Sequence, residues 1–429
     1  MTHFAVIGPP FHSHLRAMEA LAGELLARGH RVTFVQQADV ATMLHDSRLG
    51  FAQVGMGSHP RGSLKAVIDR AARPGGPWGI RRVIADMASA TDMYCREAPA
   101  VLRSIGAECI IADQMEPAGG LVAEHLGLPF VSVACALPVN REALVPLPVM
   151  PWRYRPTPWG EQLNLHSSGV YDRAMQAHAS VISRYAAAFG LPPRQRLDEC
   201  LSLLLQLSQT TPGFDFPRTA LPEHFHGIGP LRSALTDEPA MDIPVATGRP
   251  FVFASLGTLQ GDRCGLFQRI AEACRDLDVQ LLIAHCGRLD RRQERRLLKA
   301  GASWVTDFAP QRAVLARADA LITHAGLNTV LDALEAGVPS LALPIAFDQP
   351  GVAARVVHAG VGLKLDPRLA NRRRIVQALR RLLSEPGFAQ RARVLGDEVR
   401  AGGGAPRAAQ LIEAVLEAES PGLRSAEHG

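Results

Sequence analysis

The sequence predicts an α/β protein made of two Rossmann-like, doubly wound domains that face each other across a cleft. Two observations carry this. Short, continuously apolar runs alternate with segments of helical period, the pattern of a parallel sheet covered on both faces. The alternation then stops and restarts around a stretch carrying Pro212, Pro217, Pro222, Pro230, Pro239, Pro244 and Pro250 with little periodicity. At 429 residues, the chain has room for two or three domains of about 150 residues each.

FAVIG (4–8) reads as the first strand and is followed by a helical stretch, LRAMEALAGELLARGH (15–30), closing near Gly29. RVTFVQQ (31–37) is the next strand, and CIIAD (109–113) and FVSVA (130–134) bracket the helix PAGGLVAEHLG. The second series runs through FVFASLG (251–257), a helix to about Asp276, VQLLIAH (279–285), SWVTDF (303–308), ALITHAG (320–326), PSLALP (339–344) and VGLKL (361–365). These readings divide the chain into a first domain, 1–212, a Pro-rich linker, 213–249, and a second domain, 250–395. Residues 396–429 form a C-terminal helix and tail, with an amphipathic segment near 406–418 free to pack back on the first domain. In open parallel sheets ligands bind beyond the carboxyl ends of the strands, so two such domains predict an interdomain site.

Composition bounds the partners. With 47% hydrophobic and 20% charged residues, the chain is neither disordered nor a coiled coil nor collagen-like. The formal net charge is +5, and only Lys65, Lys299 and Lys364 among the 46 basic residues are lysines. Arginine in such excess invites a phosphate partner, but RLDRRQERRLLK (288–299) and RLANRRRIVQALRR (368–381) read as solvated helix faces of an arginine-biased proteome, not a nucleic-acid surface. The seven cysteines are odd in number and scattered, which fits a reducing cytoplasm. No signal sequence opens the chain, and no apolar run approaches a membrane span.

The chemistry concentrates between Trp304 and Gln349. ALITHAGLNT is a strand, a glycine-containing turn and a helix start near Asn328. His324, Gly326, Asn328 and Thr329 therefore surround a helix N-terminus, where free N–H groups and the dipole suit a diphosphate. An ordinary helix capped by Asn accounts for the same letters. Ser255, Gly257 and Thr258 lie at the carboxyl end of the second domain's first strand, opposite that turn. In the first domain, His12 and His14 sit in the loop after strand one, and Asp113 ends CIIAD at the same sheet edge. A histidine oriented by a carboxylate suits proton abstraction from an alcohol near pH 7. Asp276-Leu277-Asp278 has no companion ligands nearby, and AGGGAP (401–406) lacks the Lys-Ser/Thr of a P-loop; both read as loop.

The run from 304 to 349 resembles the donor signature of the family 1 UDP-sugar-dependent glycosyltransferases, which have the GT-B fold. That resemblance implies Phe308, Pro310 and Gln311 on the uracil, and His324, Gly326, Asn328 and Thr329 on the diphosphate. It further implies Asp332 on the ribose and Asp348 with Gln349 on the sugar hydroxyls. Ser255, Gly257 and Thr258 match the family's loop at the donor phosphates. Plant members usually carry Trp and Glu where this chain has Phe308 and Asp332. Trp304 is expected in the core and Glu335 on the surface. His14-Leu15-Arg16-Ala17-Met18 fits the family's G-H-x-x-P/A-M frame, which implies His14 as the catalytic base, His12 as a neighbour, and Asp113 as its partner. No metal, and no cofactor beyond the nucleotide sugar, is expected. The acceptor belongs to the first domain, the donor to the second.

Residues 137–160 carry Pro138, Pro146, Pro148, Pro151, Pro156 and Pro158, with Trp152 and Trp159 flanking Arg153, Tyr154 and Arg155. This reads either as a proline-rich loop over the cleft or as a lipophilic entrance facing a membrane. The whole chain is similar to the bacterial carotenoid glucosyltransferases. That likeness implies UDP-glucose as donor and the ring hydroxyls of zeaxanthin as acceptors, giving mono- and then diglucosides with inversion, in the cytoplasm or peripherally on the inner face of the membrane. Three alternatives stay open: another lipophilic acceptor such as a macrolide or flavonoid, a GT-B-fold UDP-sugar epimerase, and a non-enzymatic phosphate- or membrane-binding protein.

Overall fold

The structure is a computed structural model that describes residues 1–73, 75–233 and 243–426. Part of the Pro-rich stretch read as a linker, 234–242, and the last three residues of the tail lie outside the described residues. Two all-parallel sheets account for every strand among the described residues.

The first sheet contains β1 (His3–Ile7), β2 (Arg31–Gln37), β3 (Gly50–Val54), β4 (Cys109–Asp113), β5 (Phe130–Ala134), β6 (Leu205–Ser208) and β7 (Phe225–Gly227) in the order β3-β2-β1-β4-β5-β6-β7. Its helices are α1 (His12–Ala27), α2 (Ser63–Ala72), α3 (Pro77–Ile105), α4 (Ala118–Leu126), α5 (Pro158–Ala174) and α6 (Gln176–Ala188). The second sheet has β8 (Phe251–Ser255), β9 (Gln280–Ala284), β10 (Trp304–Thr306), β11 (Ala320–Thr323), β12 (Ser340–Ala342) and β13 (Gly362–Lys364) in the order β10-β9-β8-β11-β12-β13. Around it lie α7 (Gly257–Gln260), α8 (Cys264–Asp276), α9 (Arg291–Ala300), α10 (Gln311–Leu315), α11 (Leu327–Glu335), α12 (Gln349–His358) and α13 (Arg372–Ser384). The chain closes with α14 (Pro386–Ala401) and α15 (Gly404–Ala426).

Strand alternation explains the double cover. Phe4 and Val6 of β1 pack with Leu15 and Leu21 of α1 and Ile412 of α15, while Ala5 and Ile7 pack with Met93 and Tyr94 of α3 and Leu121 of α4. In β8, Val252 and Ala254 meet Phe267 and Ile270 of α8 and Leu379 of α13; Phe251 and Phe253 face Val314 and Leu315 of α10 on the other side. Both faces of both sheets are therefore filled by the same alternating residues that make the strands read as continuous apolar runs.

Three strands were not legible in the sequence: β3, β6 and β7. β3 and β7 are the edges of their sheet, and β7 lies inside the Pro-rich stretch, paired with β6 through Gln206–Phe225 to Ser208–Gly227. α15 crosses back onto the first sheet, where Glu413 meets Arg28 at 2.9 Å and His30 at 3.0 Å. The proline loop is wedged against α12. A Cβ on Gly351 would lie 2.1 Å from the Pro148 carbonyl oxygen, and Lys364 donates to the Pro151 carbonyl at 2.9 Å. Below it, the fully buried Arg355 of α12 pairs with Asp215 at 2.6 Å and stacks on Phe216. The two sheets are thus tied by buried polar contacts as well as by chain.

Candidate active site

β1 and β4 are neighbours in register, with Ile7 opposite Ala112, so the residues that follow them emerge side by side. Gly8 is required there: a Cβ on it would stand 2.9 Å from Cβ of Asp113. The chain then turns at Phe11, whose extended backbone caps α1 without a side-chain bond. The helix begins at His12, so both histidines expected in a loop sit in its first turn. The physical reason is visible in the backbone: the Phe11 carbonyl already accepts from Leu15 N–H at 2.9 Å, closing the first helical turn around them.

That turn separates the two imidazoles. His12 is exposed, whereas His14 points inward and its Nδ1 lies 2.6 Å from Oδ2 of Asp113, itself 0% exposed. The other Asp113 oxygen accepts from Met115 N–H at 2.9 Å. Burial on its own lowers the His14 pKa, but the charge and hydrogen bond of Asp113, joined by the charge of Asp348, outweigh it and leave the imidazole above its ordinary value. With Nδ1 turned to the carboxylate, Nε2 is the nitrogen left for a substrate.

Opposite, Ser255 of β8 pairs with Thr323 of β11, which brings the two glycine turns together. The patch 255–258 is not a plain loop: Gly257, at φ +72°, opens the short helix α7. His324 fills the space between the turns. A Cβ on Gly257 or on Gly326 would come within 2.6 or 2.7 Å of its ring, so side chains at either position would evict it. Burial pushes the His324 pKa down to about 4, which keeps it a neutral donor at pH 7. Gly326, not Asn328, is the cap of α11.

Asn328 is freed for another task, bridging the two halves. Its side chain donates to the Ser13 carbonyl of α1 at 3.4 Å and accepts from Gln209 at 3.0 Å. Thr329 donates to Oε1 of Gln311 at 3.3 Å, and Nε2 of Gln311 donates to Asp332 at 2.5 Å. The other Asp332 oxygen accepts from Nε and Nη2 of Arg232 at 2.9 and 2.7 Å. Both oxygens of the expected ribose ligand are therefore already engaged, and Asp332 is only 6% exposed. Gln209 and Arg232 had no motif to announce them; each is a lone polar residue whose partner lies some hundred residues away.

Phe308 presents its ring to solvent at 69% exposure, next to Pro310, which precedes α10. Asp348 lies half-buried at the cap of α12, with Leu137 N–H of the proline loop 3.4 Å from Oδ2. Burial above all raises its pKa, against the opposing pull of Leu137 N–H and of His14. Gln349 is buried; its Oε1 accepts from the amides of Ile345 and Ala346 at 2.9 Å each, which leaves its amide N–H groups to offer. Trp304 packs edge-on to Phe251. Glu335 departs from the surface position expected of it: it is half-buried beside a small cavity that also exposes Arg232, Arg312 and Arg400. The helix turns it toward the end of α14, where Arg400 donates to its carbonyl.

Two clusters among the described residues have the composition of a metal site. In the first, His14–Asp113–Cys135, burial pushes the thiol well above its ordinary pKa and leaves it protonated. In the second, His285 Nδ1 accepts from Leu289 N–H at 3.1 Å, so the ring proton sits on Nε2, which faces Glu294 and Asp307 at 3.3 Å each. That nitrogen has no lone pair to give. Asp276 of the D-x-D is held by Arg372 of α13.

Two parallel-sheet Rossmann-like domains, with a histidine–aspartate pair on one and glycine turns on the other, make the GT-B architecture. Solved structures share the architecture: the calicheamicin glycosyltransferase CalG4 superposes with a TM-score of 0.74 at 22% identity, covering 97% of this chain and 98% of that one. The glycosyltransferase of kitacinnamycin gives 0.73 at 23% identity, covering 96% and 98%. The chain belongs to the UDP-glucoronosyl and UDP-glucosyl transferase family, which it matches over residues 170–397. It is 48% identical to a zeaxanthin glucosyltransferase of Pantoea ananas, with 97% of this chain and 96% of that protein covered. A zeaxanthin glucosyltransferase of Pseudescherichia vulneris is 44% identical, with 97% and 98% covered.

Proposed function

We propose that the protein transfers glucose from UDP-glucose to the ring hydroxyls of zeaxanthin, forming the monoglucoside and then the diglucoside. The observation that carries the chemistry is the 2.6 Å pair of His14 and Asp113, set across the cleft from the turn that holds His324. The near full-length likeness to two zeaxanthin glucosyltransferases supports the acceptor.

In this reading His14 Nε2 takes the hydroxyl proton as the acceptor oxygen attacks the anomeric carbon from the face opposite the departing UDP. One C–O bond forms, the glucosyl–phosphate bond breaks, and the configuration inverts. Asp113 holds the resulting imidazolium. Asp348 and the amide of Gln349 orient the glucose. His324, Ser255, Gly257, Thr258, Gly326, Asn328 and Thr329 line the diphosphate and stabilise it as it leaves. Phe308 with Pro310 and Gln311 receives the uracil, and Asp332 reaches the ribose by giving up its bond from Nε2 of Gln311 while Arg232 keeps hold of its other oxygen. No cofactor or metal takes part, so chelation leaves the rate unchanged. Residues 1–212, extended by strand β7 from within the linker 213–249, then form the acceptor-binding domain, 250–395 the nucleotide-sugar domain, and 396–429 a segment returning to the first.

Cytoplasmic placement with peripheral docking on the membrane's inner face suits a membrane-dissolved acceptor. No helix among the described residues is long and apolar enough to cross a membrane. Trp159 and Trp78 are exposed, with Arg155 and Arg81 over their rings at 5.4 and 5.0 Å, an amphipathic pairing suited to a headgroup layer. The test is incubation with UDP-[¹⁴C]glucose and zeaxanthin in liposomes, with and without chelator. Labelled β-linked mono- and diglucoside support the reading; label released only as free glucose, or an α-linkage, refutes it.

A further inference from the structure

Two aromatic rings meet at the mouth of the cleft, one from each half of the protein. Phe11 immediately precedes the helix that carries His14, and Phe347 immediately precedes Asp348. Their centroids are 6.3 Å apart with the planes tilted by 52°, and the Phe11 ring is also 6.3 Å from the imidazole of His14. Phe347 is 39% exposed and holds φ at +56°, the left-handed region that a bulky side chain avoids. A glycine would sit there without strain, so the ring is kept at a backbone cost. Strain of this kind collects where a side chain is aimed at a ligand.

We propose that Phe11 and Phe347 form the seat for the apolar ring that bears the accepting hydroxyl, and so select acceptors of that class. The inference rests on the glucosyl-transfer reading above. A hydroxyl brought to Nε2 of His14 places the ring attached to it against Phe11, the nearest aromatic surface, with Phe347 as the continuation of that surface toward Asp348. Inserting a ring between two others needs centroids about 7–8 Å apart, at about 3.5–4 Å per contact. At 6.3 Å the pair is closed to insertion, so the acceptor ring lies across both instead. Because each half supplies one ring, the seat exists only while the sugar-facing Asp348 stands opposite the base. Apolar ring alcohols gain from this surface; small hydrophilic alcohols and water do not.

The experiment compares the wild type with Phe347→Gly, which accepts the positive φ freely and so folds, and with Phe11→Leu. Three quantities are read: kcat/KM for zeaxanthin, KM for UDP-glucose, and slow hydrolysis of UDP-glucose without acceptor. Phe347→Gly is expected to lower kcat/KM for zeaxanthin about tenfold, chiefly through KM. UDP-glucose KM and hydrolysis stay within about twofold, and the melting temperature does not fall. Phe11→Leu keeps part of the apolar surface and loses less. An unchanged zeaxanthin kcat/KM, or an equal rise in UDP-glucose KM, overturns the proposal. A panel of zeaxanthin, a flavonol and a macrolide separates the two readings. If the wild type prefers another ring alcohol, the zeaxanthin assignment fails, and the variants' KM for that alcohol decides the seat. If it glucosylates none of them, both fall.

Discussion

Replacing Asp113 by Asn tests the acid–base pair with almost no change of shape. One Asp113 oxygen is fixed by Met115 N–H at 2.9 Å, and the other faces Nδ1 of His14 at 2.6 Å. In the variant, the amide oxygen keeps the bond from Met115, because only an oxygen can accept it. The NH2 group therefore turns to His14, and Nδ1 must accept. The imidazole proton then moves to Nε2, the atom that has to receive the acceptor's proton, so the base is lost although its position is not. General-base assistance is worth about 10²–10⁴-fold, or about 2.7–5.4 kcal/mol of barrier at 1.36 kcal/mol per decade. Steady-state transfer from UDP-glucose to zeaxanthin should fall by that factor in kcat/KM, while UDP binding by calorimetry stays within about twofold. The pH profile adds a second readout. Asp113 opposes the effect of burial and holds the His14 pKa above its ordinary value, so the acid limb of kcat/KM in the wild type lies above that of an ordinary histidine. The residual activity of Asp113→Asn should show a limb displaced to lower pH. Transfer within about threefold of wild type, with an unmoved limb, would show that Asp113 does not set the protonation of His14.

His324→Ala removes a neutral hydrogen-bond donor from between the glycine turns and should raise KM for UDP-glucose about 2- to 12-fold, with a smaller effect on KM for the acceptor. An unchanged donor KM would remove His324 from the diphosphate site. Glu116 gives a prediction read in stability and not in turnover. It is 4% exposed, and burial raises its pKa from 4.5 to about 7. Its folded pKa exceeds the unfolded one, so this stability is present below about pH 4.5 and lost as pH rises through about 7. Glu116→Gln keeps an oxygen for Thr91 and Ala118 N–H but cannot ionise. In urea unfolding at pH 5 and pH 8, the wild type should lose about 2–3 kcal/mol relative to the variant. Equal losses in both proteins would show that Glu116 does not ionise on this scale.

What the sequence revealed follows from how local each feature is. β1, β4 and β8 are apolar, central and followed by short turns, so both their identity and the sheet edge shared by His14 and Asp113 could be read from the letters. β7 could not: three residues, Phe225 to Gly227, carry no period, and pairing with β6 alone makes them a strand. The pair of glycine turns was legible because glycine is needed at 257 and 326 to admit the His324 ring, and such needs leave a spacing. The roles of Asn328, Asp332 and the proline loop were not. Their partners, Ser13, Gln209, Arg232 and α12, are set by how one sheet docks on the other. Ion pairs across 100 residues of sequence, such as Arg232 with Asp332, have no local signature. The start of α1 at His12 was missed because Phe11 caps it without the Ser, Thr, Asp or Asn that normally marks such a position.

In the proposed mechanism His14, on one half, activates a hydroxyl against a nucleotide sugar held by the other. Single-turnover transfer from enzyme-bound UDP-[¹⁴C]glucose to zeaxanthin, compared between the wild type and His14→Ala with UDP affinity measured on the same samples, addresses it directly. Labelled glucoside is expected from the wild type, with a rate about 10²–10⁴-fold lower in the variant and equal UDP affinity in both. Equal transfer rates in the two proteins would contradict it.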